Sequence, residues 1–129
     1  MVIDTSAILA WLKHEPARDR IVRVLEDQLT RRVSAVSLLE AQIVVRSREH
    51  PAMMEKLHRF LDEIDVVVVP FDELQAQAAA EAFHRFGKGQ GHPAQLNMGD
   101  CAVYALAKTM NEPLLFVGDD FARTDIATC

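Results

Sequence analysis

Acidic side chains stand at the ends of short apolar segments, or at the starts of helical patterns, in four places along this chain. The residues are Asp4, Glu40, Asp100 and the adjacent pair Asp119 and Asp120. If the apolar segments are parallel strands, these side chains meet at one edge of a sheet, because open α/β folds gather their ligands at the carboxyl ends of the strands. Carboxylates crowded at one edge repel one another, and hard divalent cations with oxygen ligands are the usual reason for tolerating that repulsion. The spacing therefore predicts a site for a divalent metal ion.

Each of these acids also has a purely structural interpretation. Ser37 and Glu40 have the Ser-x-x-Glu spacing of a capping box, in which the acid at the third helical position returns a hydrogen bond to the cap residue. Asn97 and Asp100 have the same spacing, Asp4 is suited to cap a helix that follows a strand, and the final pair suits a turn. Capping alone does not require the acids to gather at one edge. A helix N-terminus also favours negative charge, so capping and metal binding are compatible at one residue.

Apolar patterns alternate between strand-like and helix-like along the chain. Strands are predicted at residues 1–4, 33–36, 66–69 and 114–117. Apolar residues at three- and four-residue spacing predict helices over about 7–12, around 21–25, and over 38–49, 57–64, 72–86 and from about 99 onwards. Thr5 or Ser6 is expected to cap the first helix. Strands separated by helices predict an α/β fold, a single three-layer domain over residues 1–129 with a mostly parallel sheet of four or five strands flanked by helices.

The composition is that of a globular domain, and it limits the possible functions. Half of the 129 residues are hydrophobic and 26% are charged, which suffices for one apolar core. No apolar run is long enough to cross a membrane, and Cys101 and Cys129 form no disulfide framework, so a cytoplasmic location is expected. The net charge of −5 argues against binding nucleic acid through bulk positive charge. A bound metal ion would neutralise part of that charge, and scattered basic residues remain for phosphate contacts, namely Arg31, Arg32, Arg46, Arg48, Lys88 and Arg123.

Other kinds of site have weaker support in the sequence. The five histidines show no spacing typical of metal ligands. The glycines of residues 87–91 lack the spacing and the preceding strand of a phosphate-binding loop. A phosphohydrolase with an aspartate nucleophile would have a second aspartate two residues after Asp4, where this chain has Ser6. The metal-dependent acidic site is therefore the favoured interpretation.

Four separated segments resemble the PIN-domain ribonucleases, and among them the VapC-type toxins of bacterial toxin–antitoxin pairs. The segments are residues 2–7, Glu40, residues 97–101 and residues 114–121. Because they occur in the same order as in that family and span nearly the whole chain, the resemblance is specific. It implies a PIN-like domain.

The resemblance also implies an activity, a cofactor and partners. The activity would be an endoribonuclease that cuts RNA and depends on Mg²⁺, with Mn²⁺ as an alternative. The partners would be a cognate antitoxin and a second copy of the chain in a homodimer. By position in the motifs, the catalytic and metal-binding residues would be Asp4, Glu40, Asp100 and Asp120, with Asp119 as the alternative to the last and Ser6 as the residue that orients the site. The competing hypothesis is a non-catalytic PIN-like module that only binds another protein.

Overall fold

The computed structural model describes all 129 residues. Two helices lie between each strand and the next along the chain. The elements in chain order are β1 (Val2–Ile3), α1 (Thr5–Leu12), α2 (Arg18–Asp27), β2 (Arg32–Ser34), α3 (Ala35–Arg48), α4 (Ala52–Glu63), β3 (Val67–Val69), α5 (Glu73–Phe86), α6 (Met98–Met110) and β4 (Leu114–Leu115). Every predicted strand and helix is present, although several ends differ from the prediction. None of the helices combines the length and the apolar character needed to cross a membrane.

The four strands form one parallel sheet in the order β3-β2-β1-β4. Val2 pairs with Arg32 of β2 and with Leu114 of β4, while all of β2 pairs with β3. Parallel neighbours need a crossover connection between them, and helices supply it here. The prediction of a parallel sheet flanked by helices is confirmed, and the carboxyl ends of the strands lie along one edge.

Side chains of the central strand β1 and of β4 alternate between two apolar cores, one on each face of the sheet. Ile3 and Leu115 belong to the core formed with α1, α2, α3 and α4, whereas Val2 and Leu114 belong to the core formed with α5, α6 and the C-terminal segment. Each of these four side chains is at most 1% exposed. Burial of apolar surface, worth roughly 25 cal/mol per Å², therefore fixes the sheet as the middle of three layers.

The start of α3 differs from the prediction. Ser34 is the N-cap of this helix, and its side chain accepts a hydrogen bond from the N–H of Val36 at 3.2 Å. The helix therefore begins at Ala35 rather than near residue 38, and the predicted strand 33–36 ends at Ser34. The early start changes the position of every later residue in α3 relative to the helix N-terminus.

Candidate active site

The carboxyl edge of the sheet holds Asp4, Glu40 and Asp100, which together we call the acidic cluster. Asp4 follows β1 directly, Asp100 lies in the first turn of α6, and Glu40 lies in the second turn of α3. The hydroxyl of Thr5, next to Asp4, lies 3.0 Å from Glu40 Oε2. A Cβ built on Gly99, next to Asp100, would lie 3.3 Å from the same oxygen. The fold thus brings together three acids that are far apart in the sequence.

Asp4 is the N-cap of α1, so its interpretation as a cap after a strand is confirmed and the prediction that Thr5 or Ser6 caps this helix is wrong. Asp4 has an extended backbone with φ −81° and ψ 156°, while the two residues after it are already helical. Its Oδ2 accepts hydrogen bonds from the Ser6 N–H at 3.0 Å and from the Ser6 hydroxyl at 2.5 Å. These two hydrogen bonds fix the Asp4 carboxylate at the end of β1.

Ser6 also joins Asp4 to the segment that follows β4. Its Oγ accepts a hydrogen bond from the N–H of Val117 at 3.0 Å, and β4 ends at Leu115 rather than at the predicted residue 117. The segment beyond Val117 carries the pair of exposed aspartates, 119 and 120. Ser6 therefore contacts two sides of the candidate site, which supports the orienting role predicted for it.

Glu40 is not part of a helix cap. Because α3 begins at Ala35, Glu40 is its sixth residue, and the predicted Ser37–Glu40 capping box is wrong. Ser37 is buried inside the helix, and its hydroxyl has no hydrogen-bond partner. Glu40 Oε2 instead accepts a hydrogen bond from the hydroxyl of Thr5. The structural explanation for this acid is therefore removed, which supports its role in the acidic cluster.

Asp100 has both a capping contact and a place in the acidic cluster. Asn97 is the N-cap of α6, and its side-chain oxygen accepts a hydrogen bond from the Asp100 N–H at 2.8 Å. Asp100 Oδ2 in turn accepts a hydrogen bond from the Asn97 N–H at 2.9 Å. The predicted Asn97–Asp100 capping box is confirmed, and it coexists with the position of Asp100 at the carboxyl edge.

Each acid of the cluster uses one carboxylate oxygen for a positioning hydrogen bond and leaves the other without a protein donor. The engaged oxygens are Asp4 Oδ2, Glu40 Oε2 and Asp100 Oδ2. No three Asp, Glu, His or Cys side chains lie close enough together, as they are placed here, to hold a metal ion. The free oxygens are hard donors, which are the type that Mg²⁺ and Mn²⁺ prefer. The donor set therefore fits such an ion.

Burial and mutual repulsion raise the pKa of two of the acids. Burial is the main cause of the raised pKa of Asp4, and the charge of Glu40 adds to it. The pKa of Asp100 rises to about 6, again mainly because of burial. The pKa of Asp100 is raised further by the neighbouring negative charges of Asp4, Asp120 and Glu40. The fully ionised cluster is unfavourable by itself, and a bound cation would favour ionisation of its acids.

The charge of Asp120 is one of those that raise the pKa of Asp100. Asp119 and Asp120 are both exposed, but Asp120 directly precedes Phe121, which is 2% exposed and belongs to the core beneath the segment. These observations support Asp120, rather than Asp119, as the fourth acid.

Two of the basic residues considered for phosphate contacts have structural roles instead. Arg31 donates hydrogen bonds to the carbonyl oxygens of Leu25 and Ile64, and Arg32 forms an ion pair with Glu112. The remaining four form no ion pair within the protein, namely Arg46, Arg48, Lys88 and Arg123. Of the six residues considered, these four stay available for phosphate groups.

Thr5 is the residue whose contact the sequence did not predict. The sequence indicated Thr5 only as a possible helix cap, yet its hydroxyl meets a carboxylate 35 positions later. No local pattern signals such a contact, because it forms only when α1 packs against α3.

The chain matches a known family over nearly its whole length. The model of the PIN domain family matches residues 1–127. Ribonuclease VapC28 of Mycobacterium tuberculosis is 44% identical over 126 residues, which cover 98% of this chain and 95% of that protein. Ribonuclease VapC of Mycolicibacterium smegmatis is 44% identical over 127 residues, which cover 98% of each chain.

Solved structures share the fold. VapC20 of Mycobacterium tuberculosis, described as a Sarcin-Ricin loop cleaving toxin, matches with a TM-score of 0.76 at 16% identity. The match covers 99% of this chain and 97% of the VapC20 chain. VapBC2 of Rickettsia felis, bound to a DNA fragment of its promoter, matches with a TM-score of 0.76 at 18% identity. The match covers 98% of this chain and 94% of the matched chain. At such identities the likeness shows the fold, whereas the family model and the more similar relatives show the family. The chain therefore belongs to the PIN-domain family, in the branch of the VapC ribonucleases.

Proposed function

We propose that this chain is an endoribonuclease that uses Mg²⁺ or Mn²⁺ to hydrolyse RNA phosphodiester bonds, and that it is the toxin of a toxin–antitoxin pair. The observation that carries the proposal is the acidic cluster, in which each carboxylate is held by one oxygen and has its other oxygen free. The relationship to proteins named VapC ribonucleases supports RNA as the substrate.

The phosphates of RNA are anions, so an acidic cluster can receive them only with a cation present. A bound Mg²⁺ or Mn²⁺ would lower the pKa of a water molecule and stabilise charge on the leaving oxygen. Asp4, Glu40 and Asp100 would hold the ion with their free oxygens, and Asp120 would add a fourth carboxylate. The caps and hydroxyls that hold the other oxygens keep the cluster in place, so little reorganisation accompanies the reaction.

The proposed protein partners are an antitoxin and a second copy of the chain, both in the cytoplasm. A toxin-antitoxin complex from Klebsiella pneumoniae has this fold, with a TM-score of 0.72. Exposed apolar side chains on α3 and α6, such as Leu39, Ile43 and Met98, are of the kind that protein partners cover. Light scattering of the purified protein checks the homodimer. Growth arrest on expression, relieved by the product of a small upstream reading frame that co-purifies with this chain, checks the antitoxin.

Cleavage of RNA by the purified protein tests the nuclease proposal. We expect cleavage with Mg²⁺ or Mn²⁺ and none in excess EDTA, with Asp4→Asn as the inactive control. Undiminished cleavage in EDTA would contradict the metal dependence. A folded wild-type protein that binds its antitoxin but cuts no RNA with either metal would favour the non-catalytic PIN-like binding module.

A further inference from the structure

Thr5 presents to the acidic cluster a buried hydroxyl that no helix cap uses. Its Oγ1 lies 3.0 Å from Glu40 Oε2 and 3.2 Å from the carbonyl oxygen of Ser37, and the residue is 4% exposed. We propose that Thr5 is a positioning residue that holds the Glu40 carboxylate in the orientation needed to bind the divalent ion. The inference rests on the proposed function, because it assumes that the acidic cluster binds a cation.

The Thr5 hydroxyl has one hydrogen and two acceptors within reach. Glu40 is the nearer acceptor, and a hydrogen bond to an ionised carboxylate is roughly twice as strong as one to a neutral carbonyl. Helix α1 does not need this hydroxyl for its own start, because Asp4 caps it. The hydrogen bond to Glu40 therefore joins α1 to α3 at the acidic cluster.

Gly99 bounds the same carboxylate from the side of α6. A Cβ at this position would lie 3.3 Å from Glu40 Oε2 and 3.3 Å from Asn97 Oδ1, which is tighter than ordinary van der Waals contact. The glycine thus lets the first turn of α6, with Asp100, approach Glu40 closely. Thr5 and Gly99 confine one oxygen of Glu40 from two different helices, and Oε1 remains free of protein donors.

The hydrogen bond from Thr5 is the only one that the Glu40 side chain receives from the protein. Without the hydroxyl, this half-buried carboxylate could turn to solvent, away from Asp4 and Asp100. Outer hydrogen-bond partners of metal ligands typically contribute about 10–100-fold to metal affinity. The loss of the Thr5 hydroxyl should therefore weaken metal binding more than it weakens the fold.

Two substitutions of Thr5 isolate the hydroxyl from the shape of the side chain. Thr5→Val keeps the shape and removes the hydroxyl, whereas Thr5→Ser keeps the hydroxyl. Mn²⁺ binding to the purified full-length protein, measured by calorimetry, gives a readout that does not depend on RNA cleavage. We expect Thr5→Val to bind Mn²⁺ about 10-fold more weakly than the wild type, and Thr5→Ser to bind it within about twofold. The Mn²⁺ concentration for half-maximal cleavage should rise in the same proportion.

Thr5→Ala also removes the hydroxyl and replaces Thr5→Val if that variant fails to fold, while Gly99→Ala tests the other side of Glu40. Alanine is a better helix former than glycine, so α6 should persist, and the new Cβ would press on Glu40 Oε2 and on the cap oxygen Asn97 Oδ1. We expect weaker Mn²⁺ binding in a variant that remains folded. Ser37→Ala is the matched control, because it removes a nearby buried hydroxyl that has no partner, and it should bind Mn²⁺ like the wild type.

Three results would overturn the inference, and they differ in what they leave standing. Wild-type Mn²⁺ affinity in Thr5→Val, or in Thr5→Ala where Thr5→Val does not fold, would remove the positioning role and leave the proposed function intact. Equal weakening in Thr5→Val and Thr5→Ser would show that the hydroxyl is not the cause. A wild-type protein that binds no Mn²⁺ and cuts no RNA would overturn the proposed function and this inference together.

Discussion

The starts of α3 and α6 have the same sequence spacing but different structures. At α6 the polar residue Asn97 is the cap, and Asp100 three residues later completes a capping box. At α3 the cap is Ser34, so Ser37 lies inside the helix and Glu40 lies in its second turn. The difference shows that a polar residue followed three positions later by an acid forms a capping box only where the helix begins at that polar residue.

The two acids consequently depend on different interactions. Asp100 is held by the cap of its own helix, so its position follows from a segment of four residues. Glu40 has no capping role and is held only by the hydroxyl of Thr5, which belongs to another helix. Substitutions at the two helix starts should therefore separate effects on stability from effects on activity.

Removal of one charge from the acidic cluster should have the strongest effect. We expect Asp100→Asn and Asp4→Asn to lower RNA cleavage by more than the ~10–100-fold that loss of an outer hydrogen-bond partner costs. In both variants the amide oxygen still accepts the positioning hydrogen bond, and repulsion within the cluster falls, so metal-free stability should be unchanged or raised. Cleavage assays and thermal unfolding in EDTA check this. A clear drop in the unfolding temperature together with the loss of activity would assign a structural role to these acids.

Glu40→Gln and Ser37→Ala separate the two interpretations of the start of α3. We expect Glu40→Gln to stay folded, because the amide oxygen still accepts from Thr5, but to lose most cleavage and to bind metal more weakly. Ser37→Ala should keep both activity and stability, because the Ser37 hydroxyl has no partner to lose. Thermal unfolding, metal titration and one cleavage assay on both variants measure this. Full activity in Glu40→Gln would remove Glu40 from the proposed site and leave three acids.

What could be predicted from the sequence depended on the range of the interaction. The Asn97–Asp100 cap and the strand predicted at residues 66–69, observed as β3 (Val67–Val69), arise from neighbouring residues, and both were predicted. The start of α3 was not, because Ser34 and Ser37 are both suitable caps and only packing of the following apolar residues selects between them. The edge position of β3, which leaves Val67 51% exposed, depends on the order of strands across the sheet and leaves no local signal.

The candidate site shows the same division. Asp4 and Asp100 could be predicted because one follows a strand and the other lies in the first turn of a helix, whereas Glu40 was selected on a helix start that the structure places earlier, at Ala35. The family motif favoured Asp120 with Asp119 as the alternative, and the charge of Asp120 acting on Asp100 supports that preference. The contact from Thr5 to Glu40 was not predictable, because it depends on how α1 packs against α3.

Substitution of the two cap residues should have a moderate effect on stability and an unequal effect on activity. Ser34→Ala and Asn97→Ala each remove a side chain that accepts from a helix N–H, so each should lower the free energy of unfolding by about 1 kcal/mol. Asn97→Ala also loosens the turn that carries Asp100, so its cleavage rate should fall, whereas Ser34→Ala should cleave like the wild type. Urea unfolding and cleavage at a temperature where both variants are folded provide the test. Equal activities would show that the α6 cap does not contribute to the site.

The pKa of Asp100 should make stability depend weakly on pH in the absence of metal. In the folded protein this pKa is about 6, against its usual 3.8. Between these values the folded protein keeps a proton that the unfolded chain has released. The unfolded chain thus binds fewer protons, and the contribution of Asp100 to the free energy of unfolding falls as the pH rises through this window. The raised pKa of Asp4 acts in the same direction.

Comparison of the wild type with Asp100→Asn isolates the contribution of Asp100 to the pH dependence of stability. Glu112 and Asp125 have lowered pKa values, which make stability rise with pH, but they do so equally in both proteins. In EDTA, the unfolding temperature of Asp100→Asn relative to the wild type should increase between about pH 4 and about pH 7, since only the wild type acquires the unfavourable charge. Mn²⁺ should reduce that difference at the higher pH, because a ligand that binds the ionised cluster stabilises the folded wild type. A difference independent of both pH and Mn²⁺ would show that Asp100 serves α6 as a cap and does not titrate within an acidic cluster.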